Sequence, residues 1–339
     1  MTSPSEERAV QKIDESMSME EVFLYVKEDL DRVEETLIKS LRSDVLLISE
    51  VGRYIFKSGG KRMRPLLTIL SSRLCGYEGD AHISLAAVME LIHTATLLHD
   101  DVVDHAEMRR GERSVNRLWN SETSILIGDF LFTRSFCMMV EHQDLKILDF
   151  MSETCKRLAE GEILELAKSA DPAVKEQDYL SIIRDKTAVL ISASCRVGAI
   201  LGHRPQWEEA LASFGLNLGL AFQLVDDLLD FEAEEDQLGK TIGKDLQEGK
   251  VTLPLIRTLQ MCTDEEREEL CRLIKLRSQD PLHLHSVQAI IKRYDGLEYC
   301  ESMARRYIEE AKGFLDPIPS SRPKTALLSV ADFIVQRRH

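Results

Sequence analysis

The chain has 339 residues, enough to bury one large core or two ordinary ones and to enclose a pocket, which excludes a small disulfide-stapled scaffold. Lys plus Arg number 43 against 58 Asp plus Glu, a formal net charge of -15; this argues against a nucleic-acid partner and requires any anionic ligand to meet locally gathered cations. The seven cysteines (Cys75, Cys137, Cys155, Cys195, Cys262, Cys271, Cys300) stand singly with no CxxC pair, which speaks against a zinc ribbon or disulfide framework and for a reduced, cytoplasmic protein.

Residues 1–17 are polar and acid-rich and read as a loose segment. No stretch reads as the roughly 18 apolar residues that cross a bilayer, so a soluble chain is expected. SMEE at 18–21 and TDEE at 263–266 fit the capping box and place two helix starts. GGKRMRP (Gly59 to Pro65) sets Lys61, Arg62 and Arg64 behind two glycines. Four segments are apolar on nearly every face: Asp80 to about Asp104, opening on a capping-type Asp, Ser121 to Val140, Lys186 to Gly202, and Trp207 to Phe231. A helix apolar all round is a buried one. With only 9 Pro and 17 Gly as breakers, these helices must be long and pack on one another, which predicts an all-α fold. The Gly- and Lys-rich run after Gly239, GKTIGKDLQEGKVTLPL, reads as a loop of about a dozen residues, long enough to suggest function. Beyond Pro254 the helices are charge-laced, as in an outer layer. No low-complexity linker divides the chain, so 1–339 reads as one domain.

Asp100, Asp101 and Asp104 close the first apolar helix, and Asp226, Asp227 and Asp230 repeat the same i, i+1, i+4 pattern at the end of another. At about 100° per residue the outer pair of each set shares a face. Like charges at i,i+4 repel, and anions at a helix C-terminus oppose its dipole. Something positive must be bound. Hard oxygen donors in this number suit Mg2+, which shares its remaining positions with water and phosphate oxygens. Cations to receive a phosphorylated ligand stand in GGKRMRP, at Arg109 and Arg110, at Lys186 beside Thr187, and at Lys240, Lys244 and Lys250.

Other signals carry less. Glu90 and His93 form an ExxH, but no second copy on an apolar helix supports a di-iron site. His283 and His285 read as solvated, His99 as stabilised by nearby carboxylates, and Cys137 to Met139 as packing. The glycine-rich run lacks the strand and frame of a Walker loop.

GGKRMRP, DDVVD followed by MRRG, the KTA run, FGLNLGLAFQLVDDLLD and GKTIGKDLQEGK, in this order over roughly Val51 to Pro254, resemble the trans-prenyltransferases (polyprenyl diphosphate synthases). The resemblance implies a single bundle of long antiparallel helices around a deep central cavity, a homodimer, and Mg2+-dependent head-to-tail (1'-4) condensation of isopentenyl diphosphate onto an allylic diphosphate. By position it implies that Asp100, Asp104 and Asp226 hold the metal, about three ions with substrate bound. Asp101, Asp227 and Asp230 become additional ligands or water-mediated partners. Arg109, Lys186, Gln223 and Lys240, with Thr187, take the allylic diphosphate. Gly60, Lys61, Arg64, His93 and Arg110 take isopentenyl diphosphate. Asp100, Asp104, Asp226, Lys186, Thr187 and Gln223 form the catalytic set.

Toward the N-terminus from Asp100 the same face carries Leu97, Thr96, His93 and Met89, with Ala95 toward the flank. In the resembled family an aromatic at the position of Ala95 or Thr96 stops the chain early. Neither is aromatic, so the expected product is all-trans and longer than about twenty carbons, with Phe132, Phe130 or Met138 as a deeper floor. Such a product implies transient membrane contact on release, without a transmembrane segment. Three competing readings are a shorter-chain (geranylgeranyl or farnesyl) synthase, a class I terpene cyclase and an inactive regulatory subunit. The cyclase needs neither GGKRMRP nor a complete second DDxxD, and regulatory subunits usually lose a cluster that is intact here.

Overall fold

Periodic apolar runs with few breakers give a chain built from helices. The computed structural model describes residues 16–57, 59–232, 243–278 and 280–336. Most of the expected loose N-terminal segment lies outside the described residues, but the Met17 amide donates to the Ser329 hydroxyl at 2.9 Å. The helices are α1 (Met19–Tyr25), α2 (Lys27–Ser40), α3 (Leu46–Lys57), α4 (Met63–Leu74), α5 (Ala81–Val103), α6 (Val115–Leu118), α7 (Ser121–Glu141), α8 (Leu145–Lys168) and α9 (Glu176–Ile183). After a π-helical turn at Arg184–Ala188 follow α10 (Val189–Leu201), α11 (Pro205–Glu232), α12 (Lys244–Glu248), α13 (Leu253–Met261), α14 (Asp264–Leu276), α15 (Pro281–Arg293), α16 (Gly296–Phe314) and α17 (Arg322–Gln336). Both capping boxes form, Ser18 with Glu21 and Thr263 with Glu266.

The fold is all-α. Among the described residues the sole sheet is a two-residue hairpin, Met108–Arg109 against Glu112–Arg113. Its turn residues Arg110 and Gly111 both have positive φ, 53° and 81°, the twist that suits a two-residue connection between antiparallel strands. One contiguous core runs through the bundle, with α4, α5, α10 and α11 at its centre. Gly198 on α10 lies so near Ser71 of α4 that an added Cβ would stand 2.3 Å from its carbonyl carbon.

Three expectations need correcting here. Asp80 does not cap α5 through its side chain, because its carboxylate pairs with Arg32 at 2.6 Å. The region after Gly239 is not loop throughout: Lys244–Glu248 is helical, while 233–242, with Lys240, lies outside the described residues. Finally, α5 and α7 are both long and apolar enough, by length and composition, to cross a membrane. For α5 core packing accounts for this, with 72% of the apolar window buried. The α7 window is only 39% buried, so this helix is not enclosed on every face as expected. Ile125, Leu126 and Val140 are 41%, 66% and 57% exposed.

Candidate active site

Most of α5 is buried, yet His93, Thr96, Leu97, Asp100 and Asp104 are half-buried. Spacings of three and four put them on one face. At its C-terminal end that face opens on a cleft of about 640 Å³, lined by Asp100, Asp104, Glu162, Glu165, Lys244 and Lys250 among others. On α11 the half-buried stripe is Gln223, Asp226 and Asp230. Glu165 and Lys250 also line the adjoining space with Lys186, Thr187, Gln223 and Asp227, so the two acidic helix ends meet across shared neighbours.

The cations between them are held by carboxylates that the sequence does not single out. The Lys186 ammonium donates to Glu162 and Glu165, each at 2.7 Å, and stands 3.8 Å from Asp100. Lys250 reaches Asp104 at 3.1 Å and Glu248 at 2.6 Å. Burial disfavours both charges, but Glu165 with Asp100 and Glu162 on Lys186, and Glu165 with Glu248 and Asp104 on Lys250, hold both amines above the ordinary lysine range. Burial pushes the Asp100 carboxyl up, reinforced by Asp104 and opposed by Lys186 and Lys250. EGEILELAK, which carries Glu162 and Glu165, reads locally as a solvated charged face. Only the approach of α8 to the π-turn turns it inward.

That approach depends on a glycine. Lys186 and Thr187 do not open an α-helix but sit in the π-helical turn, a bulge that re-aims side chains and often marks a functional position. A Cβ on Gly161 would lie 2.6 Å from the Lys186 nitrogen and 2.8 Å from the Asp185 carbonyl carbon. Gly161→Ala must therefore displace backbone, with an expected cost of about 1–3 kcal/mol and weaker binding of an allylic thiodiphosphate. Thermal melts and calorimetric titration check this; an unchanged midpoint and affinity would show that α8 yields freely.

Burial also pushes the Glu162 carboxyl up to about 7, with Asp100 adding repulsion and Lys186 opposing it. A raised carboxyl binds more protons folded than unfolded, so its contribution to stability falls as pH rises from about 4.5 to 7. Glu162→Gln lacks that penalty. In chelator, its thermal midpoint relative to the parent should rise across this window and match it near pH 4; a constant difference would exclude the effect.

The remaining aspartates take separate tasks. Asp101 is buried and accepts from the Arg109 Nε at 2.8 Å, which orients Arg109 in the wall of a cavity the two line together. Asp230 accepts from the Lys244 and Asp245 amides at 3.2 and 3.1 Å, anchoring the start of α12. Asp227 is 4% exposed and accepts from Tyr179 and Gln223; burial pushes its carboxyl up to about 7 against these two donors.

Beside Arg109, with which Arg110 lines a cavity, Gly60 lies against the Arg110 guanidinium, 2.8 Å from where its Cβ would be. Arg110 donates to the Gly59 carbonyl. Arg64 carries a buried Nε with no protein partner, and burial pulls its guanidinium down to about 10 while Glu90 and Asp226 oppose. Burial first, then Arg64 and Arg110, hold His93 well below the ordinary histidine range, leaving a neutral imidazole among arginines. Lys61 is exposed at the rim. Arg62 is not a ligand cation: it turns inward to Glu90 at 2.7 Å and to Glu34, which also accounts for Glu90 of the ExxH. His283 bonds the Ser278 hydroxyl at 2.8 Å, and His99 lies 3.4 Å from Asp129.

Of the positions expected to set chain length, Thr96 is half-buried on the stripe and donates to the His93 carbonyl at 2.8 Å. Ala95 is fully buried. Phe132 is half-buried and packs on Phe136, ring centres 5.4 Å apart.

Among the described residues no three His, Cys, Asp or Glu side chains converge to hold an ion by themselves. Hard oxygens on two facing helix ends, each set incomplete, fit a cation that fills its shell with phosphate oxygens and water. Residues 45–291 match the model of the polyprenyl synthetase family. The chain belongs to that family and is a prenyltransferase. This polyprenyl synthetase is 41% identical over 322 residues to octaprenyl diphosphate synthase of Escherichia coli (strain K12), covering 95% of this chain and 99% of the relative. It is 37% identical over 320 residues to the all-trans-nonaprenyl-diphosphate synthase (geranyl-diphosphate specific) of Rhodobacter capsulatus, covering 94% and 98%. The crystal structure of a Caulobacter crescentus CB15 polyprenyl synthase, complexed with calcium and isoprenyl diphosphate, superposes with a TM-score of 0.89 at 38% identity, covering 98% of this chain and all of that one. The all-helical bundle is shared.

Proposed function

We propose that this chain is a long-chain all-trans polyprenyl diphosphate synthase, adding isopentenyl diphosphate repeatedly, head to tail, to an allylic diphosphate. One observation supports the reading: the cleft at the acidic end of α5 and the adjoining space at the acidic end of α11 share Glu165 and Lys250 in their walls, with Lys186 beside both. Asp100, Asp104 and Asp226 would hold Mg2+, about three ions with substrate bound, which supplies Lewis-acid neutralisation of charge on the departing diphosphate. Lys186 and Lys250, already ordered by Glu162, Glu165 and Glu248, provide mobile positive charge for the same oxygens, and Arg109 provides a fork held by Asp101. Gly60, Lys61, Arg64, His93 and Arg110 would receive the second diphosphate; the unpartnered Arg64 Nε is ready to donate to it.

The allylic C1–O bond breaks with its electron pair leaving on diphosphate. The C3=C4 pair of isopentenyl diphosphate forms the new bond from C4 to C1. The C2 proton then leaves to the released diphosphate, restoring an allylic double bond. Preorganised cations stabilise charge that grows only in this transition state, and the apolar walls of the bundle exclude water from the cation. Long product length is supported by the non-aromatic Ala95 and Thr96 and by the octaprenyl and nonaprenyl names of relatives. Incubation with Mg2+, farnesyl diphosphate and labelled isopentenyl diphosphate, followed by chromatography, should yield long polyprenols after dephosphorylation. Cyclised hydrocarbons would favour a cyclase, and no product with any primer an inactive subunit.

The exposed Ile125, Leu126 and Val140 on α7 support a homodimer, since large apolar side chains left bare on one helix favour cover. Leu126→Arg should convert dimer to monomer in sedimentation; an unchanged mass would place the interface elsewhere. One catalytic domain over 1–339, a cytoplasmic location and brief membrane contact for product release complete the proposal.

A further inference from the structure

Tyr179, on α9, is 3% exposed and ends a directed chain of hydrogen bonds. Its hydroxyl donates to Asp227 Oδ2 at 2.5 Å. Gln223 Nε2 donates to Asp227 Oδ1 at 2.7 Å, and Thr187 Oγ1 donates to Gln223 Oε1 at 3.0 Å. Each link fixes the next. A carboxylate flanked by two donors accepts at both oxygens, so the Gln223 amide must face it nitrogen first. Only the amide oxygen is then left for Thr187, whose single hydroxyl hydrogen is spent on it. The lone pairs of Thr187 Oγ1 remain for the space that Thr187 lines with Lys186 and Gln223.

We infer that Tyr179 and Asp227 are positioning residues that set the hydrogen-bond polarity of Gln223 and Thr187, so that Thr187 offers lone pairs, not a hydrogen, to C1 of the ionising allylic diphosphate. The inference rests on the prenyl-transfer reading. A lone pair beside C1 stabilises positive charge that exists only as the C1–O bond opens; a hydrogen there opposes it. Asp227 thus acts through Gln223 rather than as a further metal ligand. The links join three separate elements, α9, the π-turn and α11, which is why the chain is invisible in any local pattern.

Tyr179→Phe removes one donor at constant shape and should lower kcat about tenfold. Asp227→Asn can donate as well as accept, allows the Gln223 amide to turn over, and should lower kcat about a hundredfold. In both, KM for isopentenyl diphosphate and the dissociation constant of farnesyl thiodiphosphate should stay within about twofold of the parent, because ground-state binding is untouched. In a Thr187→Val background, Tyr179→Phe should cause no further loss of kcat, since the atom being oriented is gone. Additive losses in that cycle, or weakened analogue binding in Asp227→Asn, would overturn the inference. If Tyr179→Phe fails to fold, Asp227→Asn combined with Thr187→Val carries the same test. An active parent with Tyr179→Phe and Asp227→Asn at parental kcat sinks this inference alone, whereas an inactive parent sinks the functional reading.

Discussion

Asp100→Ala and Asp226→Ala should each lower kcat by at least about 10²–10³-fold, the scale set by removing one preorganised group that meets charge developing in a transition state. The fold should not suffer. Burial raises the Asp100 carboxyl, with Asp104 adding repulsion, so above the unfolded carboxyl pKa its ionisation opposes the folded state and its removal relieves that opposition. Lys186 keeps Glu162 and Glu165 as partners. In chelator at pH 7.5 the Asp100→Ala midpoint should equal or exceed the parent's, and the advantage should vanish near pH 3, where the carboxyl is protonated folded or not. The same variants should lose the rise in melting temperature that Mg2+ and an allylic thiodiphosphate give the parent, because a ligand bound by the folded chain alone stabilises it. Parental turnover in either variant, or unfolding of both, would refute the assignment of these tips to metal and diphosphate.

The second large effect is on product length, and here the structure separates two residues that the family resemblance treats alike. Thr96 shares the half-open stripe of His93, Leu97 and Asp100, so Thr96→Phe places a ring over the path of the growing chain. Products should shorten to about twenty carbons or fewer with little change in stability. Ala95 has no exposed surface, so Ala95→Phe must push into packed neighbours at about 1–3 kcal/mol or more. Its clearest signature should be a lowered melting temperature rather than a clean truncation. Chromatography of dephosphorylated products beside melts of both variants decides between them. Unchanged length in Thr96→Phe would remove this face of α5 from the chain's path.

Helices α5, α10 and α11 were legible because each is buried on several sides, and an apolar run too wide for a surface stripe needs no partner to be recognised. The paired aspartate sets were legible for a related reason: anions repeated at the ends of apolar helices break local rules, and the break shows in the residues themselves. Helix α7 misled, because apolar composition does not say which faces the core will cover, and Ile125, Leu126 and Val140 stay exposed.

What the order of residues left open was which polar group meets which. Arg62 and Arg64 look alike in GGKRMRP, yet one pairs with Glu90, 28 residues away, and the other keeps a buried, unpartnered Nε. Glu162 and Glu165 resemble surface charges until Gly161 brings α8 against the π-turn, and Tyr179 meets Asp227 across 48 residues. Helical period and terminal charge are properties of a few neighbouring residues and are written in the chain itself. Pairing between helices depends on how close their backbones come and on where a bulge turns a side chain, and those distances exist only once the bundle has packed.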